Sequence, residues 1–117
     1  MPEHRNYLSV SDLNSKIRYS LEKDFSSIWV KGELSNFHHH PSSGHMYFTL
    51  KDELNEIRCA MFRANNQFLK FHPLDGMSVR LFGDITFYEQ RGSLQIKVSM
   101  MEEDGVGDLH SEFEKMK

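Results

Sequence analysis

The sequence predicts a mainly β domain: a five-stranded barrel preceded by one α-helix, with a short helix between the third and fourth strands. Three observations carry this. Five segments alternate apolar and polar residues with a period of two, as strands do when they bury one face. The first and fourth of them carry a mid-segment glycine, Gly32 and Gly83, where a strand bending round a small barrel needs a bulge or a sharp coil. Ahead of them lies one run with the spacing of an amphipathic helix.

That run starts at Ser9, a helix N-cap with Asp12 three residues on as its capping-box partner. Val10, Leu13, Ile17 and Leu21 follow as one apolar stripe, which predicts a helix packed on the domain and ending near Lys23. Ile28 to Phe37 is the first strand, with Ile28, Val30 and Leu34 on one parity and Trp29, Lys31, Glu33, Ser35 and Phe37 on the other. Trp29, at its start, is expected to lie against the helix. His38 to Gly44, HHHPSSG, is a loop by its Pro, Ser and Gly content.

Met46, Phe48 and Leu50 alternate with Tyr47, Thr49 and Lys51, and Ile57, Cys59 and Met61 alternate with Arg58, Ala60 and Phe62. The polar stretch Asp52 to Asn55 joins the two runs as an antiparallel hairpin. Asn65 to Phe71 is expected to be the short helix. Ser78 to Tyr88 is the fourth strand, Gln90-Arg91-Gly92 turns the chain, and Leu94, Ile96, Val98 and Met100 mark the fifth. Asp108 to Lys117 is helical in pattern and has no stop signal, so the chain is expected to be part of something longer.

The single Cys59 at a core-parity position leaves no disulfide framework and suits a reducing compartment. The opening MPEHRNYLSVSD has no apolar run, so a cytoplasmic protein without a membrane span is expected. The formal net charge of −3 is unevenly spread. Residues 1–24 are neutral, residues 25–101 hold eight cations against seven anions, and residues 102–117 hold two against six. A nucleic-acid site in the neutral middle would have to rely on stacking and local cations rather than on a basic field.

One face of the hairpin is not core. It mixes Tyr47, Lys51, Arg58 and Phe62 with Arg63 just beyond, and unpaired bases want such π-faces with cations tracking the backbone. Phe62 is the leading candidate, an outward ring on a strand whose core parity is already filled. Arg63 and Arg58 are its phosphate partners, and Tyr47, Lys31, Phe37, His45, Arg91 and Lys97 complete the expected DNA-binding set. The carboxylates Asp52, Glu53, Glu56, Asp75, Asp84 and Glu89 are scattered over turns rather than clustered, so no catalytic residue is assigned. His38, His40 and His45 have no cysteine nearby, and no metal or cofactor is expected. The loop His38-His39-His40 offers imidazoles where lysine and arginine would suit DNA better, and the acidic turn DELNE limits how far a strand can extend.

Five strands with a helix between the third and fourth is the element order of an OB (oligonucleotide/oligosaccharide-binding) barrel, whose ligands lie on strands two and three. The motifs YLSVSDLN, IWVKGELSNF, SSGHMYFTLKD, IRCAMFR, DGMSVRLFGDITFYEQRGSLQI and GVGDLHSEFEKMK together resemble the N-terminal region of the exodeoxyribonuclease VII large subunit, from about Tyr7 onward. That resemblance implies a single-stranded DNA-binding OB domain, followed in the parent enzyme by a catalytic domain and by a long helical region carrying copies of a small subunit. It further implies that the parent degrades single-stranded DNA to short acid-soluble oligonucleotides while this fragment alone is inactive. The expected division is 1–24 as a helical extension, 25–103 as the OB domain and 104–117 as the start of a linker helix. An OB domain that mainly packs on other protein, or an anticodon-type RNA binder, would share much of this pattern.

Overall fold

The computed structural model describes residues 5–104. In order they form α1 (Val10–Asp24), β1 (Ile28–His39), β2 (Met46–Lys51), β3 (Glu56–Met61), α2 (Arg63–Asn66), β4 (Ser78–Tyr88) and β5 (Ser93–Glu103). The strands close into a barrel in the order β1-β2-β3-β5-β4. All neighbours are antiparallel except β3 and β5, which run parallel. The expected helix at Asp108–Lys117 falls outside the described residues. Among those described, no helix is long and apolar enough to cross a membrane.

The alternation fixes what is inside. Leu34, Met46, Phe48, Leu50, Cys59, Met61, Val79, Leu81, Ile85, Ile96, Val98 and Met101 form one buried cluster. The hairpin pairs Met46 with Met61 and Phe48 with Cys59, so its two apolar sets face the same interior. Burial pushes the Cys59 thiol up to about 12, leaving it a small neutral hydrophobe.

Two glycines bring the strands into place by different means. At Gly83 the β4–β5 register shifts, the bend the sequence predicts, and a Cβ there would run into the Lys97 carbonyl. Gly32, in contrast, is not the irregular point of β1. It is a close approach, where a Cβ would sit 2.8 Å from Leu50 Cγ and 2.9 Å from the Lys51 carbonyl oxygen. The bulge in β1 falls four residues later. Ser35 pairs with Thr49 and His38 with Tyr47, so Asn36 and Phe37 together oppose Phe48. Asn36 has φ 51, a region asparagine tolerates better than most residues, and the Phe37 amide is satisfied by Asp75 Oδ1 at 2.8 Å.

That extra residue reverses the parity of the strand end. Phe37 turns inward and stacks on Phe48, centroids 6.0 Å apart, while His38 comes to the outer face opposite Tyr47.

The helices also depart from expectation. The capping box of α1 is present, with the Asp12 amide donating to Ser9 Oγ at 3.0 Å. Yet no residue of α1 is buried: Leu21 packs on the core while Val10 and Leu13 are 75% and 46% exposed. Trp29 is 52% exposed and leans on Phe82, centroids 5.1 Å apart. The short helix is a single turn from Arg63 to Asn66, and Phe62 is its N-cap rather than a strand residue.

The β2–β3 turn is tied by Asp52, whose Oδ1 accepts the amides of Leu54 (2.9 Å) and Asn55 (2.8 Å). These bonds hold its carboxyl below the ordinary value. A depressed folded pKa contributes stability that is complete above the unfolded pKa and lost as pH falls through the folded one. Asp52→Ala should therefore melt below the parent at neutral pH. The gap should narrow as pH falls below the ordinary carboxylate range of about 4, as thermal melts of both chains at neutral and at acid pH would show.

Candidate nucleic-acid interface

The parallel pairing of β3 with β5 sets the outer face. It places Gln95 beside Arg58 and Lys97 beside Ala60, while β2 brings Tyr47 to the other side of Ala60. Ala60 is 0% exposed although it points outward, so this small residue is the floor between Tyr47 and Lys97. An open groove of about 1090 Å³ runs over this face, lined among others by His38, Tyr47, Arg58, Tyr88, Arg91 and Gln95. Its far wall includes Arg18 and Glu22 of α1.

At the β1–β2 loop end, three rings meet edge to face. His45 lies 4.9 Å from Phe62 and 6.4 Å from Tyr47. Lys97 Nζ stands 5.8 Å from the Phe62 centroid, within cation–π range. The His45 ring is oriented by the Arg63 amide, which donates to Nδ1 at 3.0 Å; the proton of the neutral ring is then on Nε2. Phe62 is half-buried, neither an outward strand ring nor core, and Arg63 beside it is exposed.

Asn66 holds this corner together. It is 8% exposed, and its Nδ2 donates to the carbonyls of Gly44 (2.8 Å) and Met61 (3.0 Å). One amide thus ties the end of the β1–β2 loop to the end of β3.

Of the residues expected from the sequence, the structure brings Tyr47, Arg58 and Arg91 together around the groove. It joins His45, Phe62 and Lys97 to Tyr47 at one end, with Arg63 next to them. Lys31 and Phe37 stand apart. Lys31 lies on the β1–β4 side of the barrel, 3.8 Å from Asp104, and Phe37 is drawn inside by the bulge.

Gln95, Tyr88 and Arg18 were not expected there, whereas His38 opens the loop expected to offer imidazoles. Tyr88 has outward parity next to a turn, a signal the sequence does hold. Gln95 and Arg18 reach the groove only through β3–β5 pairing and helix docking, for which no local pattern exists. Three arginines (Arg18, Arg58, Arg91) face three glutamates (Glu22, Glu56, Glu89) around the groove, so their charges cancel. In the β1–β2 loop, His40 Nδ1 is engaged by Ser42 Oγ at 3.1 Å and Ser43 Oγ at 3.3 Å. Among the described residues no three His, Cys, Asp or Glu side chains are grouped to hold a metal.

A closed five-stranded barrel with an aromatic, arginine-lined groove over its second and third strands defines an OB-type nucleic-acid-binding domain. The chain belongs to that family: residues 8–102 match the OB-fold nucleic acid binding domain. Within it, the chain is similar to exodeoxyribonuclease 7 large subunits, 49% identical over 97% of its length to that of Brevibacillus brevis. To the Geobacter metallireducens protein it is 52% identical over 99% of its length. The resemblance carried by the six motifs thus holds over nearly the whole chain, which spans 25% of the length of each of these relatives.

Solved structures agree on the fold. A replication protein A heterotrimer bound to ssDNA matches with TM-score 0.53 and 11% identity, over 67% of this chain and 57% of that one. The second OB-fold domain of replication protein A from Methanococcus maripaludis matches with TM-score 0.52 and 17% identity, over 68% and 84%.

Asn66→Ala should leave the Met61 and Gly44 carbonyls without that donor. An expected loss of about 1–3 kcal/mol follows for a buried hydrogen-bonding group left unpaired, read as a lower denaturation midpoint with an unchanged slope.

Proposed function

We propose that this chain binds single-stranded DNA in the groove, as the DNA-binding part of a longer nuclease. The observation that carries this reading is the corner of His45, Tyr47 and Phe62 under Lys97, continuous with Arg58 and Arg91. Rings at this spacing offer stacking surfaces to unpaired bases, and flanking cations can follow the phosphates. Arg63 extends the cationic track, while Lys31 and Phe37 lie outside the contact. The cancelling charges around the groove leave stacking a larger share of the affinity than in a basic channel. A nearly neutral groove suits a strand that must be bound and then released.

The parent, by its similarity to exodeoxyribonuclease 7 large subunits, degrades single-stranded DNA to short oligonucleotides in the cytoplasm. It holds its small subunit through parts beyond this domain. Residues 25–103 are the binding domain, 1–24 a helical extension and 104–117 the start of a linker. The fragment binds without cutting, the cleavage belonging to parts of the parent beyond this domain. A role in packing on other protein is favoured by one observation, the half-exposed Trp29 and Met100 flanking Phe82 on the opposite side of the barrel. That surface is separate from the groove and compatible with DNA binding.

The test is anisotropy titration of labelled single-stranded DNA, duplex and RNA at several salt concentrations. Phe62→Ala should weaken single-strand binding by about 1–3 kcal/mol per lost stack, about ten-fold for a loss of 1.4 kcal/mol. Arg58→Ala should flatten the salt dependence by about one phosphate contact. The strand should be recovered intact. Equal affinity for duplex would count against single-strand recognition, and a Phe62→Ala chain that stays folded and binds like the parent would remove the hairpin corner from the DNA site.

A further inference from the structure

We infer that α1 is a working wall of the nucleic-acid groove, and that Glu89 is a positioning residue that clamps the β4–β5 turn to it so that Arg91 and Tyr88 face the bound strand. The inference rests on the groove being the binding site.

The turn itself is short and has little to hold it. The amides of Arg91 and Gly92 bond back to the Tyr88 carbonyl at 3.1 and 2.7 Å, and Gln90, Arg91 and Gly92 are all exposed. Glu89 is the exception, with its side chain 27% exposed. Three residues of α1 converge on it: Asn14 Nδ2 donates to its carbonyl at 2.8 Å, Ser15 Oγ donates to Oε1 at 3.0 Å, and Arg18 Nη1 stands 3.0 Å from Oε2. Positions 14, 15 and 18 lie on one side of a helix, so a single helix face grips both the backbone and the carboxylate of one residue.

This is not how a helix docks for stability alone. The same helix leaves Val10, Leu13 and Tyr19 exposed and buries no residue fully. Its directed contacts are polar and fall on β4 and the turn: besides the grip on Glu89, Glu22 Oε2 accepts from Thr86 Oγ1 at 3.4 Å. Arg18 and Glu22 also line the groove that Arg91 and Tyr88 line. The ion pair with Arg18 keeps the Glu89 carboxylate occupied, away from an approaching phosphate.

Glu89→Ala, Glu89→Gln, Arg91→Ala and the double variant Glu89→Ala/Arg91→Ala test this in the present chain. Binding of labelled oligothymidylate would be followed against salt, and thermal melts would establish that each variant is folded. The expected result is that Glu89→Ala loses as much affinity as Arg91→Ala and flattens the salt slope by about 0.7, one phosphate of a single strand. Arg91→Ala should then add nothing in the Glu89→Ala background, and Glu89→Gln, which keeps an acceptor for Ser15, should recover most of the loss.

Additive losses would overturn the clamp, because a residue that only stabilises the fold would not silence Arg91. Parental affinity in Glu89→Ala while Arg91→Ala still weakens binding would overturn it too. Tighter binding by Glu89→Ala would mean that the carboxylate acts by repulsion, which also defeats it. In all three cases the groove remains the binding site. A parent chain that binds no single strand would defeat the functional reading first, and this inference with it.

Discussion

The three-pair parallel ladder between β3 and β5 is the contact on which the rest of the structure depends. Without it the molecule would be an open sheet with two unpaired edges, a form that invites association with other chains. With it, every strand has two neighbours and the apolar rows of all five strands point at one interior. The same ladder makes the outer surface. Arg58 and Gln95 become neighbours because Cys59 and Ile96 pair behind them, and Lys97 reaches Phe62 because Ala60 pairs with it. Core and binding face are two sides of one register.

Much of this architecture was legible, because period-two alternation is a direct image of a strand with one buried face. β2, β3 and β4 lie where the alternation puts them, and the Gly83 bend is where the sequence marks it. What escaped is what alternation cannot encode. One extra residue at the Asn36–Phe37 bulge inverted the parity that follows, moving Phe37 from the surface to a half-buried place against the core and His38 from a loop to the groove. Phe62 continues the outward parity of β3, but the strand ends at Met61 and Phe62 caps a helical turn instead. The α1 stripe promised burial, yet only its Ile17 and Leu21 are half-buried, and polar side chains of the helix hold the β4–β5 turn beside them. Gln95 and Arg18 depend on contacts distant in sequence, and no local pattern reports those.

The candidate site joins two kinds of order. Its aromatic corner is cross-braced, since the Asn66 side chain and the His45 ring each bond a backbone group of another segment. Its opposite wall is a short turn held from outside by a helix. The balance of three arginines against three glutamates means that small changes in which carboxylate is occupied alter the field a phosphate meets. Geometry rather than bulk charge then decides how well the groove is used. This agrees with a chain whose formal net charge is −3.

The closure of the barrel also sets what its pairings cost in chain entropy. The β2–β3 hairpin pairs residues on either side of a tight turn, from Lys51–Glu56 outward to Met46–Met61. The β1–β4 ladder joins Ile28 to Gly83 and Glu33 to Ser78, which are roughly fifty positions apart and carry a correspondingly larger loop-closure entropy. Pairing within the hairpin therefore costs less loop-closure entropy than joining β1 to β4 does. The groove draws on β2, β3, β5 and the β4–β5 turn, so it has no partial form: the hairpin alone presents Tyr47 and Arg58 without Gln95, Lys97 or Arg91. Recognition arises only with the last strand in place, and a bound single strand would select the closed barrel over any state still missing one.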